Sequence, residues 1–169
     1  MNSGFIIVGE EPERPPLEEL EGLVDKLDNY RQSVDRWSEQ EKLLSDQKIY
    51  SRTDGDSFQE AKLLRQTRKC YYVQSACGCE HVLPSRMFDD LGRYTRRTGI
   101  TVQYWQGWRA RQELLELIAN ARGRYARLKN ALVPQTVREV RQSGASVSHD
   151  LVQRLRQHYG SKATRMRVQ

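Results

Sequence analysis

The stretch Leu91-Gly92-Arg93-Tyr94-Thr95-Arg96-Arg97-Thr98-Gly99-Ile100-Thr101-Val102 carries the most weight for the fold of this chain. Pro84-Ser85 opens a helix that would run to about Arg97. Thr98-Gly99 would stop it, because glycine readily takes the left-handed conformation that ends helices. Ile100 would tuck beneath the turn, Thr101 would cap, and a second helix would begin near Val102. This order predicts a helix-turn-helix in which Trp105 and Trp108, three apart, face the core. Gln103, Gln106, Arg109 and Arg111 would then be the side chains that reach a groove. An ordinary helical hairpin is the alternative, since Tyr94 and Thr95 stand where small or aliphatic packing is usual.

Outward from that stretch the periodicity is helical. Apolar residues at Leu20, Leu23, Leu27, Tyr30, Val34, Trp37 and Leu44 keep 3-4 spacing and predict a helix over about 16–46. Ser57 with Glu60 three residues on makes a capping box for a short helix to about Arg68. Tyr71-Tyr72-Val73 reads as a strand. Leu114, Ile118, Ala121, Tyr125, Leu128 and Leu132 form one stripe of a helix over roughly 103–132, Pro134 restarts the chain, and Ser143-Gly144 turns it. Ser148 caps a last helix that ends at Tyr159-Gly160. The expected fold class is mainly α: a helical bundle with a long N-terminal, coiled-coil-like amphipathic helix and a helix-turn-helix. Its expected parts are an acidic, proline-rich arm (1–16), an acidic oligomerisation helix (17–50), a basic helical domain (57–160) and a basic tail (161–169).

The chain has 169 residues, 28 Lys or Arg against 22 Asp or Glu, and a net charge of +6. That sum hides a split. Residues 1–60 hold 15 acids and 7 bases (net −8), whereas residues 61–169 hold 7 acids and 21 bases (net +14). The longest apolar run, Phe5-Ile6-Ile7-Val8, is far too short to span a bilayer or form a signal-peptide core, so no membrane association is expected. Three cysteines, an odd number, lie between Cys70 and Cys79. A disulfide framework is therefore not expected, and a reducing, intracellular compartment is. The histidines His81, His149 and His158 offer no triad, there is no glycine-rich phosphate loop, and an enzyme is not expected.

Arginine distribution points to nucleic acid. Arg93, Arg96, Arg97, Arg109, Arg111, Arg122 and Arg124 are interleaved with Tyr94, Tyr104, Trp105, Trp108 and Tyr125. Guanidinium groups pair with phosphates in bidentate fashion, and aromatic rings stack on bases. With Gln103, Tyr104 and Gln106 these arginines form the expected nucleic-acid-binding set, with DNA slightly favoured over RNA through the helix-turn-helix and a regulatory or nucleic-acid-sequestering role. The rival expectation is an assembly factor whose two long amphipathic helices bind protein partners, residues 20–44 forming a homo-oligomer. Cys70, Cys77, Cys79 and His81 have the ligand chemistry of a zinc site, although the spacing lacks the usual C-x2-C pair and buried free thiols are the plainer reading.

Two resemblances add expectations. Gly99-Ile100-Thr101-Val102-Gln103-Tyr104-Trp105-Gln106-Gly107-Trp108-Arg109-Ala110-Arg111-Gln112, with Tyr125-Ala126-Arg127-Leu128 downstream, resembles the helical segment before the catalytic domain of Mutator-like transposases. It covers about a fifth of the chain, implies at most a DNA-binding element, and transfers no catalytic residue. Phe5-Ile6-Ile7-Val8 followed by Glu10-Glu11 resembles a SUMO-interacting motif, which would add as an edge strand to a partner sheet and place the protein in a eukaryotic nucleus; a strand or hydrophobic plug within its own oligomer is the plainer reading.

Overall fold

A computed structural model describes residues 14–55 and 57–161. The Phe5–Val8 motif and all but the first residue of the basic tail lie outside that range. The mainly-α expectation is overturned: among the described residues five α-helices and a π-helical turn accompany seven strands in two antiparallel sheets. Among the described residues no helix is long and apolar enough to cross a membrane. The described residues divide into two compact units, those of 14–29 with 124–161, and those of 30–123.

The second unit begins with the latter part of helix α1 (Pro16–Leu43). Strands β1 (Ile49–Thr53), β2 (Gln59–Glu60), β6 (Arg93–Thr98) and β7 (Ile100–Gln106) form one sheet in the order β2-β1-β7-β6. Strands β3 (Lys62–Gln66), β4 (Cys70–Gln74) and β5 (Glu80–Pro84) form the other. Strand geometry sends neighbouring side chains to opposite faces, and this sorts the core. From the larger sheet Ile49, Val102 and Tyr104 join Tyr71, Val73 and Leu83 of the smaller sheet and Phe88 of helix α2 (Ser85–Leu91). Their sequence neighbours Tyr50 and Trp105 turn the other way, against Leu44, Phe58 and the first turns of helix α3 (Gly107–Arg127), Ala110 and Leu114.

The helix-turn-helix is a β-hairpin. Helix α2 ends at Leu91, and Gly92 caps it at φ 66°. Residues 93–98 then pair with 100–106, from Arg93↔Trp105 to Thr98↔Ile100 around Gly99 at φ 76°. Only from Gly107 onward is the transposase-like segment helical. The capping box at Ser57 and Glu60 is likewise unused: Gln59 and Glu60 pair with β1, while Phe58 and Ala61 are buried. Burying an aromatic ring is worth ~1.5–3 kcal/mol, more than a local cap supplies.

In the first unit, Leu20, Leu23, Val24 and Leu27 of α1 are buried. The seam expected to face a partner helix is thus covered by the chain itself over this part of its length. After α3 a π-helical turn (Leu128–Leu132) leads into α4 (Val133–Ser143). The ring of Pro134 and its missing N–H disturb the i→i−4 ladder at this point. Helix α5 (His149–Tyr159) begins as expected, with Ser148 Oγ accepting from Leu151 N–H at 3.2 Å. His158 Nε2 lies 2.6 Å from Asp28 Oδ1 and its Nδ1 2.9 Å from the Tyr125 hydroxyl. Arg154 donates from Nε to Asp28 at 2.8 Å and also binds Asp25.

Candidate nucleic-acid interface

The β6–β7 hairpin presents one face whose fate changes along its length. Arg93, Thr95 and Arg97 alternate onto the same side, opposite Trp105, Gln103 and Thr101. At Trp105 that side is core, 1 % exposed beneath α3. Towards the hairpin tip the helix no longer covers it. There Arg93, Arg96, Arg97, Thr95, Thr101 and Gln103 line an open concavity of about 740 Å³, with Asp54 the one carboxylate in its lining. A second concavity of about 560 Å³ shares Arg93 and Thr95 and adds Asp90, Leu91, Tyr94, Trp108, Arg109 and Gln112. Trp108 is 43 % exposed.

The arginines here are electrostatically uncommitted. Among the described residues Arg93, Arg96 and Arg97 pair with no carboxylate, and Arg96 Nε is buried without an acceptor. The guanidinium of Arg93 lies 5.1 Å from the Trp105 ring centroid, a cation–π contact. Three guanidinium groups, two threonine hydroxyls and an amide around an open hollow suit an extended polyanion.

Other residues expected at the interface are occupied elsewhere. Tyr104 is fully buried, its hydroxyl 2.7 Å from His81 Nδ1 and donating to the Cys79 carbonyl at 3.3 Å. Burial pushes its phenol up to about 12, and it has no ring face for a base. Gln106 donates to Asp89 at 3.2 Å. Arg111 pairs with Glu41 at 3.3 Å and Asp46 at 3.0 Å and also donates to the Leu44 carbonyl. Arg109 faces Glu113 at 3.8 Å. Arg122 and Arg124 are exposed on α3. Thr95, Thr101 and the separate fates of the two tryptophans were missed, because a helical reading puts Trp105 and Trp108 on one face and a strand–helix junction does not.

No family model, curated protein or solved structure matches the chain.

The four candidate zinc ligands are not gathered at one point. Cys70 pairs with Pro84 at one end of the β4–β5 ladder and His81 with Val73 three positions along, roughly 10 Å at strand rise. His81 Nδ1 is engaged by Tyr104. Among the described residues no group of three or more His, Cys, Asp or Glu is placed to hold a metal. Cys77 and Cys79 nevertheless meet, their sulfurs 3.3 Å apart in the turn between β4 and β5. The Ser75 hydroxyl, 2.9 Å from Cys77 Sγ, and then the Cys79 backbone N–H hold the Cys77 thiol below its usual range, whereas the contact with Cys77 raises that of Cys79. Burial, then the charge of Arg96, lowers the basicity of His81.

Proposed function

We propose that this protein binds single-stranded nucleic acid on the outer face of the β6–β7 hairpin. The observation that carries the reading is that Arg93 and Arg97, on the same side of β6, and Arg96, on its other side, all line one open concavity and pair with no carboxylate among the described residues. These guanidinium groups hold successive phosphates, and Thr95, Thr101 and Gln103 supply neutral donors. Trp108 stacks on a base, which requires that base to be unpaired and favours a single strand over a duplex. The preference for DNA rested on a helix-turn-helix and lapses with it. The role of this surface is regulatory or sequestering, in a reducing, intracellular compartment.

Fluorescence anisotropy with single- and double-stranded DNA and RNA tests this. If three phosphates are neutralised, single-strand affinity falls about 20-fold between about 50 and 200 mM salt. The double variant Arg93→Glu with Arg97→Glu abolishes binding, and Trp108→Ala weakens single-strand binding more than duplex binding. Unchanged affinity in the double variant would show the surface to be elsewhere. Absence of binding to any polymer at low salt would favour an acidic protein partner instead.

A further inference from the structure

The turn Ser75-Ala76-Cys77-Gly78-Cys79 is built more tightly than a connection needs. Ser75 N–H donates to the Cys79 carbonyl at 2.8 Å, and Gly78 N–H donates to the Ser75 carbonyl at 2.9 Å. The Ser75 hydroxyl accepts from Cys79 N–H at 3.2 Å and touches Cys77 Sγ at 2.9 Å. Ala76 N–H donates to Ser51 Oγ of β1 at 3.1 Å, tying the turn to the larger sheet. Gly78 sits at φ 87°, a conformation that lets the chain double back so that Cys77 and Cys79 face each other. The two thiols are held 3.3 Å apart, Cys77 exposed and Cys79 half-buried. Beside Cys77 lies a hollow of about 160 Å³ lined by Ser51, Arg52, Thr53, Ser75 and Val102, among others.

We propose that Cys77 and Cys79 form a thiol–disulfide exchange site whose substrate is a small, carboxylate-bearing disulfide. One arm of the substrate enters the hollow, where Arg52 meets its carboxylate. The exposed Cys77 thiolate attacks one substrate sulfur, the Cys77–substrate bond forms, and the other half leaves as a thiolate that takes up a proton. Cys79 then gives its proton to solvent and attacks Cys77 Sγ, expelling the second half. The protein loses two hydrogens with two electrons, and one disulfide becomes two thiols. The product ring spans one intervening residue, and such a small, exposed disulfide is readily reduced again, as a working site requires. Nothing in this step depends on the nucleic-acid reading.

Glutathione disulfide and cystamine, an anionic and a cationic probe, test the site on the full chain by mass spectrometry with peptide mapping. The expected result is loss of two hydrogens, mapped to a Cys77–Cys79 bond, formed faster with glutathione disulfide and reversed by dithiothreitol. Cys79→Ser should accumulate a mixed disulfide with glutathione at Cys77, and Cys70→Ser should behave as wild type. A wild-type protein that keeps free thiols, stops at a stable mixed disulfide, or needs Cys70 would overturn the proposal. Equal rates with the two probes would overturn the assigned substrate class. The wild-type measurements need no variant to fold.

Discussion

A methyl group on Gly107 would lie 1.8 Å from the Ser45 carbonyl oxygen, and Gly107 N–H donates to the Lys48 carbonyl at 2.8 Å. The start of α3 is therefore pressed backbone to backbone against the turn before β1, with no flexible side chain to yield. Gly107→Ala should cost about 3 kcal/mol or more, read from urea unfolding. Asp28 gives a second residue-scale test. Burial alone would raise its carboxyl, but the hydrogen bond with His158, then that from Arg154, outweigh burial and hold it below the ordinary carboxylate range. A depressed folded value means that the stabilisation is complete above the unfolded value and is lost as pH falls through the folded one. Wild-type stability should decline as the pH drops below about 4. Asp28→Asn should be less stable at neutral pH yet show a flatter acid limb. Parallel acid limbs would assign the sensitivity to another carboxylate.

At the scale of elements, the Tyr104 hydroxyl links the two sheets of the second unit, between β7 and both His81 and Cys79. Tyr104→Phe keeps the ring but removes the hydroxyl's hydrogen bonds with His81 and the Cys79 carbonyl, and should cost about 1–2 kcal/mol in thermal unfolding. A neutral substitution would show that packing alone registers the sheets. Much of the helical architecture was legible: α1 from Pro16 and its leucine spacing, α5 from the Ser148 cap. Strand β4 was legible from Tyr71-Tyr72-Val73. The hairpin was misread because Gly99 serves equally to stop a helix and to turn a ribbon. The better signal was the β-branched and aromatic content of Ile100-Thr101-Val102-Gln103-Tyr104-Trp105, bounded by Gly99 and Gly107. Even so, β7 has its other partner in β1, with Ile49 opposite Gln106, a pairing too distant for any local pattern to announce.

Across the molecule, the charge split of the sequence is partly neutralised inside each unit. In one, Arg154 answers Asp25 and Asp28; in the other, Arg111 answers Glu41 and Asp46. The hairpin arginines have no such counterparts among the described residues. This sorts basic residues into two kinds by a stability measurement: Arg111→Ala should cost about 1–3 kcal/mol, and Arg97→Ala no more than about 0.5 kcal/mol. Equal costs would mean that Arg97 is structural and not a binding residue. By itself the sequence determined the segregation of acid from base, the helices with 3-4 apolar spacing and the glycines at which the chain turns, because each depends on residues within a few positions. Only the tertiary structure decided which arginines stay unpaired and which tryptophan is covered. Those outcomes depend on strand pairing and ion pairs between residues far apart in the chain, and on the side of each strand that a helix happens to cover.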